Sequence, residues 1–142
     1  MGMDTSRETD EPQKILIVDH QPLILRGLSM LIDSTSDLNV CATALTQREG
    51  VELIAVYNPD LVLTEFPVQD EDGFSLLTNI RLHDPARPVL IFSGHEAPSY
   101  VRAAFDAGAN GYVSKREIDE HLLFALRQVL AGKSYLSQHI RI

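Results

Sequence analysis

The chain has a single cysteine, Cys41, so no intrachain disulfide is available and the fold must hold by packing. No apolar run approaches the roughly 20 residues of a membrane span, and no charged-then-apolar segment resembles a secretion signal. A reducing cytoplasm is the expected compartment, with no membrane partner. Runs of lysine or arginine are missing too: 20 acidic residues against 12 basic give a formal charge of -8. Such a surface has little means of releasing counterions from DNA, so this piece alone is not expected to grip nucleic acid. Nor is there a Gly-rich phosphate loop ahead of a helix or a nucleophile elbow around Ser93, and His83, His95, His121 and His139 share no metal-ligand spacing. These absences argue against a hydrolase or nucleotide enzyme.

What remains is ample for one domain: 142 residues, 44% hydrophobic, without internal repeat or low-complexity tract. Residues 1–13 open polar and aperiodic and read as a leader; 14–133 read as the folded domain, and 134–142 as the start of a linker to an output domain. From Lys14 onward, short apolar runs alternate with amphipathic stretches. The runs ILIV (15–18), LNVCATAL (38–45), DLVLTE (60–65), PVLIFS (88–93) and NGYVS (110–114) predict five strands.

The intervening segments predict five helices. Pro22 suits a first helical turn, followed by Ile24, Leu28, Leu31 and Ile32 at helical spacing up to Asp33-Ser34. Thr46 and Glu49 match a capping box for a short second helix that Asn58-Pro59 ends. A third helix is expected to turn Phe74, Leu77 and Ile80 inward. A fourth starts near Pro98, buries Val101, Ala104 and Phe105, and stops at Gly108. The last carries Ile118, Leu122, Ala125, Leu126, Val129 and Leu130 on one face before Gly132, with Ser114 and Glu117 as a candidate capping box. Fully apolar strands separated by helices imply an α/β doubly wound parallel sheet, with ligands bound beyond the carboxyl ends of the strands. Asp19-His20, Glu65, Ser93 and Lys115 fall there.

The segments IVDHQP, PDLVLTEF with a following DG, VLIFSGH and GANGYVSK occur in the order and spacing of response-regulator receiver domains, which the chain resembles from about Lys14 to Leu136. GANGYVSK, then a helix ending in AGKSYLS, is similar to the LuxR/NarL branch. The resemblance implies a five-stranded (βα)5 flavodoxin-like sheet in the order 2-1-3-4-5 and no enzyme activity of the domain's own. It also implies two-component signalling to a transcriptional output, a histidine kinase as partner, a homodimer, and DNA contact only through an output domain. Its working surface would be the fourth helix, fifth strand and fifth helix. In such receivers two acids after the first strand and an aspartate ending the third hold Mg²⁺, and that aspartate accepts a phosphoryl group.

Position by position, Asp19 matches the first acid, but His20 stands where the second, a direct metal ligand, is usual. Glu65 stands at the phosphoacceptor position, in register with Gly73, and Pro67-Val68-Gln69 replaces the usual loop. Ser93 and Lys115 match the residues that contact the phosphoryl group, and Tyr112 the aromatic whose rotation reports activation. Glutamate reaches about 1.5 Å further than aspartate, enough to touch Ser93 or Lys115 and to spoil in-line transfer. Imidazole is a poor Mg²⁺ ligand, so Asp19 is left as the metal-binding acid and Mg²⁺ affinity is expected to be weakened. Protonated His20, lying between two acids, is expected to stand in partly for the cation and make the pocket pH-sensitive.

Taken one at a time these residues have ordinary explanations. Glu65 suits a solvated strand end, Asp19 a helix N-terminus, Lys115 a first helical turn, Ser93 a loop cap and Tyr112 strand packing. Their joint spacing favours an atypical receiver. Two rivals remain: a conventional Mg²⁺-dependent phospho-switch, perhaps using Asp70 or Asp72, and a constitutive interaction module without switching.

Overall fold

The computed structural model describes residues 11–66 and 74–141. Four of the five anticipated strands keep the expected core with ends shifted by a residue or so: β1 (Gln13–Val18), β3 (Leu61–Glu65), β4 (Val89–Ser93) and β5 (Gly111–Ser114). β2 (Leu38–Ala44) carries a bulge, because Cys41 is skipped where Val40 pairs with Ile15 and Ala42 with Leu16. All are parallel, and the order is β2-β1-β3-β4-β5, as the resemblance implied. A sixth, unanticipated strand, β6 (Tyr135–Leu136), adds to the far edge by pairing with Gly111 and Tyr112. Residues assigned to a linker therefore join the sheet, and Gln13, assigned to the leader, begins it.

Alternation along the strands divides the core. Ile15, Ile17, Leu61, Leu63, Leu90, Phe92 and Val113 face α1 (Pro22–Asp33) and α5 (Glu120–Leu130). Leu16, Val18, Val62, Val89, Ile91 and Tyr112 face α2 (Gln47–Tyr57), α3 (Ser75–His83) and α4 (Pro98–Asp106). Both sheet faces are thus covered, which explains why the strands lack polar alternation.

The helix boundaries follow local chemistry with two exceptions. Pro22 and Pro98 sit in first turns, and Asn58 ends α2 in the left-handed region at φ 48°. Thr46 accepts from the Glu49 amide at 3.1 Å, but the Glu49 carboxylate reaches the Leu45 amide at 2.8 Å instead of Thr46's own. α2 fills the 11 residues between the expected cap Thr46 and Asn58. The Ser114–Glu117 capping box does not form. α5 starts later, capped by Asp119, which accepts from the His121 amide at 2.9 Å, and Ile118 lies outside it and exposed. The Ser114 oxygen accepts from the Arg116 amide at 3.1 Å instead. In α3 the buried residues are Leu76, Leu77 and Ile80, with Phe74 at the N-cap and half-buried. In α4, Val101 and Ala104 are buried and Phe105 only partly. No helix among the described residues is long and apolar enough to cross a membrane.

β6 approaches β5 closely enough to constrain Gly111. A Cβ there would lie 2.7 Å from Leu90 Cδ1, 3.1 Å from the Tyr135 carbonyl and 3.2 Å from Val129 Cγ2. Leu90 and Val129 are core residues and Tyr135 presents backbone, so none yields easily. Gly111→Ala is expected to destabilise the domain by about 1–3 kcal/mol in chemical denaturation, as overpacking does. A change below about 0.5 kcal/mol, the scale of an ordinary surface substitution, would contradict this packing.

Candidate functional site

Winding reverses between β1 and β3, and in such sheets ligands bind beyond the carboxyl ends of the strands. β1 delivers Asp19, β3 ends on Glu65, β4 on Ser93, and Lys115 follows β5. Apolar strand interiors bury the first two almost completely: Asp19 is 1% exposed and Glu65 4%. Their charge is answered from within the chain. Lys115 Nζ lies 2.9 Å from Asp19 Oδ2 and 3.2 Å from Glu65 Oε1, over the Phe92 ring at 5.7 Å from its centroid, with Gln21 Oε1 at 3.5 Å. The Glu65 side chain also accepts from the His20 amide at 2.6 Å and pairs with His20 Nδ1 at 2.7 Å, both through Oε2. Asp19 Oδ1 accepts from the Gln21 amide at 2.9 Å. Asp19 Oδ2 has no properly angled hydrogen bond; the lysine ammonium is its neighbour by charge.

The structure brings Asp19, His20, Glu65 and Lys115 together. Glu65 touches Lys115, as its reach suggested, but not Ser93. The Ser93 hydroxyl donates to the Phe66 carbonyl and accepts from the His95 amide at 3.0 Å. Tyr112 is fully buried, its hydroxyl donating to the His95 carbonyl at 2.5 Å, and burial pushes its phenol up from the ordinary value. Pro67, Val68, Gln69, Asp70, Asp72 and Gly73 lie outside the described residues.

The Mg²⁺ that the resemblance implies does not fit this arrangement. Asp19, His20 and Glu65 can each offer one ligand atom within 4.8 Å of the others, but the set is two oxygens and a nitrogen. Mg²⁺ wants near-octahedral oxygen at 2.0–2.1 Å. Glu65 Oε2 is already committed to His20, and an ammonium sits against both carboxylates where a cation would be needed.

A second polar cluster lies beyond β4, and sequence reasoning missed it. Glu96 accepts from Ser114 Oγ at 2.5 Å, Arg116 Nε at 3.1 Å and Arg116 Nη2 at 3.0 Å, and meets His139 Nε2 at 2.9 Å. These partners are 18 to 43 residues away, so no local spacing announces them. The Ser114 hydroxyl, then the His139 imidazole, lower the Glu96 carboxyl from 4.5 to about 2. A carboxyl lowered on folding stabilises the native state fully above its unfolded value and loses that contribution as pH falls through the folded value. Acid destabilisation between about pH 4.5 and 2 is thus expected to be shallower in Glu96→Gln than in the wild type. Parallel acid limbs in the two proteins would contradict the assignment.

The family model described as response regulator receiver domain matches residues 15–127. The chain is 32% identical over 128 residues to the nitrate/nitrite response regulator protein NarL of Escherichia coli K12, covering 90% of this chain and 59% of that protein. It is 29% identical over 125 residues to the fimbriae Z protein of Salmonella typhimurium, covering 88% and 60%. It thus spans about three fifths of the length of these curated relatives. Among solved structures, a LuxR-family two-component response regulator from Aurantimonas sp. SI85-9A1 matches with TM-score 0.86 and 31% identity, over 91% of this chain and 92% of that one.

Proposed function

Given that the chain belongs to the response regulator receiver domain family, in its LuxR/NarL type, we propose that it is an atypical receiver whose pocket is closed by its own side chains and does not run on Mg²⁺-dependent phosphorylation. The observation that carries this reading is the Lys115 ammonium held between Asp19 and Glu65 at 2.9 and 3.2 Å. The longer acid at position 65 spends its reach on a lysine and an imidazole, so the pocket's negative charge is met without a metal. Electrostatic stabilisation that a divalent ion would lend to a transferring phosphoryl group is correspondingly lost.

In this reading Ser93 and Tyr112 relay the state of the pocket to the face formed by α4, β5 and α5, where dimerisation or docking takes place. The output is transcriptional, with DNA bound by a part of the protein beyond residue 142. A histidine kinase, if one pairs with this receiver, acts as a docking partner, with no phosphoryl donation to Glu65. The test is intact-mass measurement after incubation with a small phosphodonor and Mg²⁺. No adduct is expected. A mass gain of one phosphate, on Glu65 or on Asp70 or Asp72, would overturn the proposal.

A further inference from the structure

The segment that continues from α5 does more than extend the sheet edge. Tyr135 N donates to the Asn110 carbonyl at 3.3 Å and Ser137 N to the Tyr112 carbonyl at 3.1 Å. The Ser137 hydroxyl, 1% exposed, accepts from the Ser114 amide at 2.9 Å and donates to Glu117 Oε1 at 2.6 Å. Ile140, 4% exposed, enters the core layer that contains Tyr112. His139 lies between two acids from different loops, Glu96 at 2.9 Å and Glu117 at 3.6 Å. The segment thus crosses the edge at β5 and is fastened on the α4 side.

Its hold is narrow. A two-residue strand supplies few backbone bonds, and Ile140 is its one fully buried apolar side chain, with Tyr135 and Leu136 half-buried. Part-exposed ion pairs add little each unless they form a network. Here they do form one, and its shared node is Glu96, which joins the β4–α4 loop to Ser114, Arg116 and His139 at once.

The loop bearing Glu96 begins at the pocket. Ser93 has one hydroxyl proton, given to the Phe66 carbonyl, while its oxygen holds the His95 amide next to Glu96. The His95 carbonyl in turn receives the Tyr112 hydroxyl, and Tyr112 is the residue that pairs with Leu136 of the segment. A movement of the Ser93 oxygen would therefore shift the His95 amide that it holds, directly beside Glu96. We propose that Tyr135–Ile140 is a releasable strap docked on the β5 edge, held chiefly through the Glu96 carboxylate. It is the element by which the state of the pocket reaches whatever the strap is joined to. The coupling to the pocket rests on the function proposed above; the docking of the strap at Glu96 does not.

Residue-resolved amide hydrogen exchange on the full chain tests both halves. In Glu96→Ala, and in the exposed and structurally mild His139→Ala, the Tyr135 and Ser137 amides are expected to exchange at least about tenfold faster, as in local opening. The Ile17 and Leu63 amides should stay at wild-type rates. Ser93→Ala, which leaves Glu96 in place, is expected to speed the same two edge amides by about threefold or more. Unchanged edge amides in Glu96→Ala and His139→Ala would overturn the strap, and so would a uniform acceleration of every amide. Edge release in Glu96→Ala without any in Ser93→Ala would overturn the coupling to the pocket. Phosphate uptake by the wild type would overturn the proposed function while leaving the Glu96 and His139 results as they are.

Discussion

Lys115→Met is expected to destabilise the domain by about 3 kcal/mol, the low end of the 3–5 kcal/mol seen when one partner of a buried ion pair is removed. Two carboxylates with side chains 1% and 3% exposed would lose the one ammonium that they share. The low end applies because Lys115 itself is 21% exposed and His20, at 36%, opens the rim to water. Methionine keeps most of the stem packed, so the loss reports charge more than volume. Urea denaturation would show it as a lower midpoint at unchanged slope. Adding Glu65→Gln to Lys115→Met is expected to recover a good part of the stability, since only one buried charge then remains. A cost below about 1 kcal/mol for Lys115→Met would mean that water screens this pocket as it does an exposed pair.

The second large effect is a gain. In His20→Asp/Glu65→Asp, Mg²⁺ affinity is expected to rise at least tenfold, about 1.4 kcal/mol, and phosphate uptake from a small donor to become measurable. One change exchanges nitrogen for the oxygen that Mg²⁺ prefers. The other withdraws a carboxylate by about 1.5 Å, which clears the approach to the acid and loosens its hold on Lys115. His20→Asp alone should raise affinity by less, because Glu65 still engages the lysine at 3.2 Å. Equal affinities in wild type and double variant would show that these two residues do not control the metal.

Much of the fold and part of the site can be read from residue pattern. Apolar runs such as ILIV and VLIFS, and prolines at positions 22 and 98, bring strands and helix starts to within a residue or two. The strand β6 is not legible this way, because Tyr135–Leu136 is too short to show periodicity and is selected by the gap beside Gly111. The Ser114–Glu117 pattern misled for a related reason. The Ser114 oxygen accepts from the Arg116 amide at 3.1 Å in a turn, while its proton goes to Glu96, 18 residues earlier in the chain, and Asp119 caps the helix. Local rules found the acceptor role of the hydroxyl, and only the fold brings the carboxylate that takes its proton.

The same division holds in the pocket. Asp19, His20, Glu65 and Lys115 follow strand ends, so a parallel sheet gathers them wherever the strands stop. Which of them touch depends on side-chain reach. Glu65 was expected to meet Ser93 or Lys115 and meets only the lysine, because Ser93 turns to the Phe66 carbonyl. The Glu96–His139 contact spans 43 residues between two loops and has no signature in the sequence.

Lys115, not a divalent cation, sits against both buried acids, and a Mg²⁺ titration of the wild-type chain followed by NMR at the Asp19, Glu65 and Lys115 amides is then expected to give no saturable shifts through the millimolar range. Saturable, site-specific shifts at those three amides in that range would contradict it.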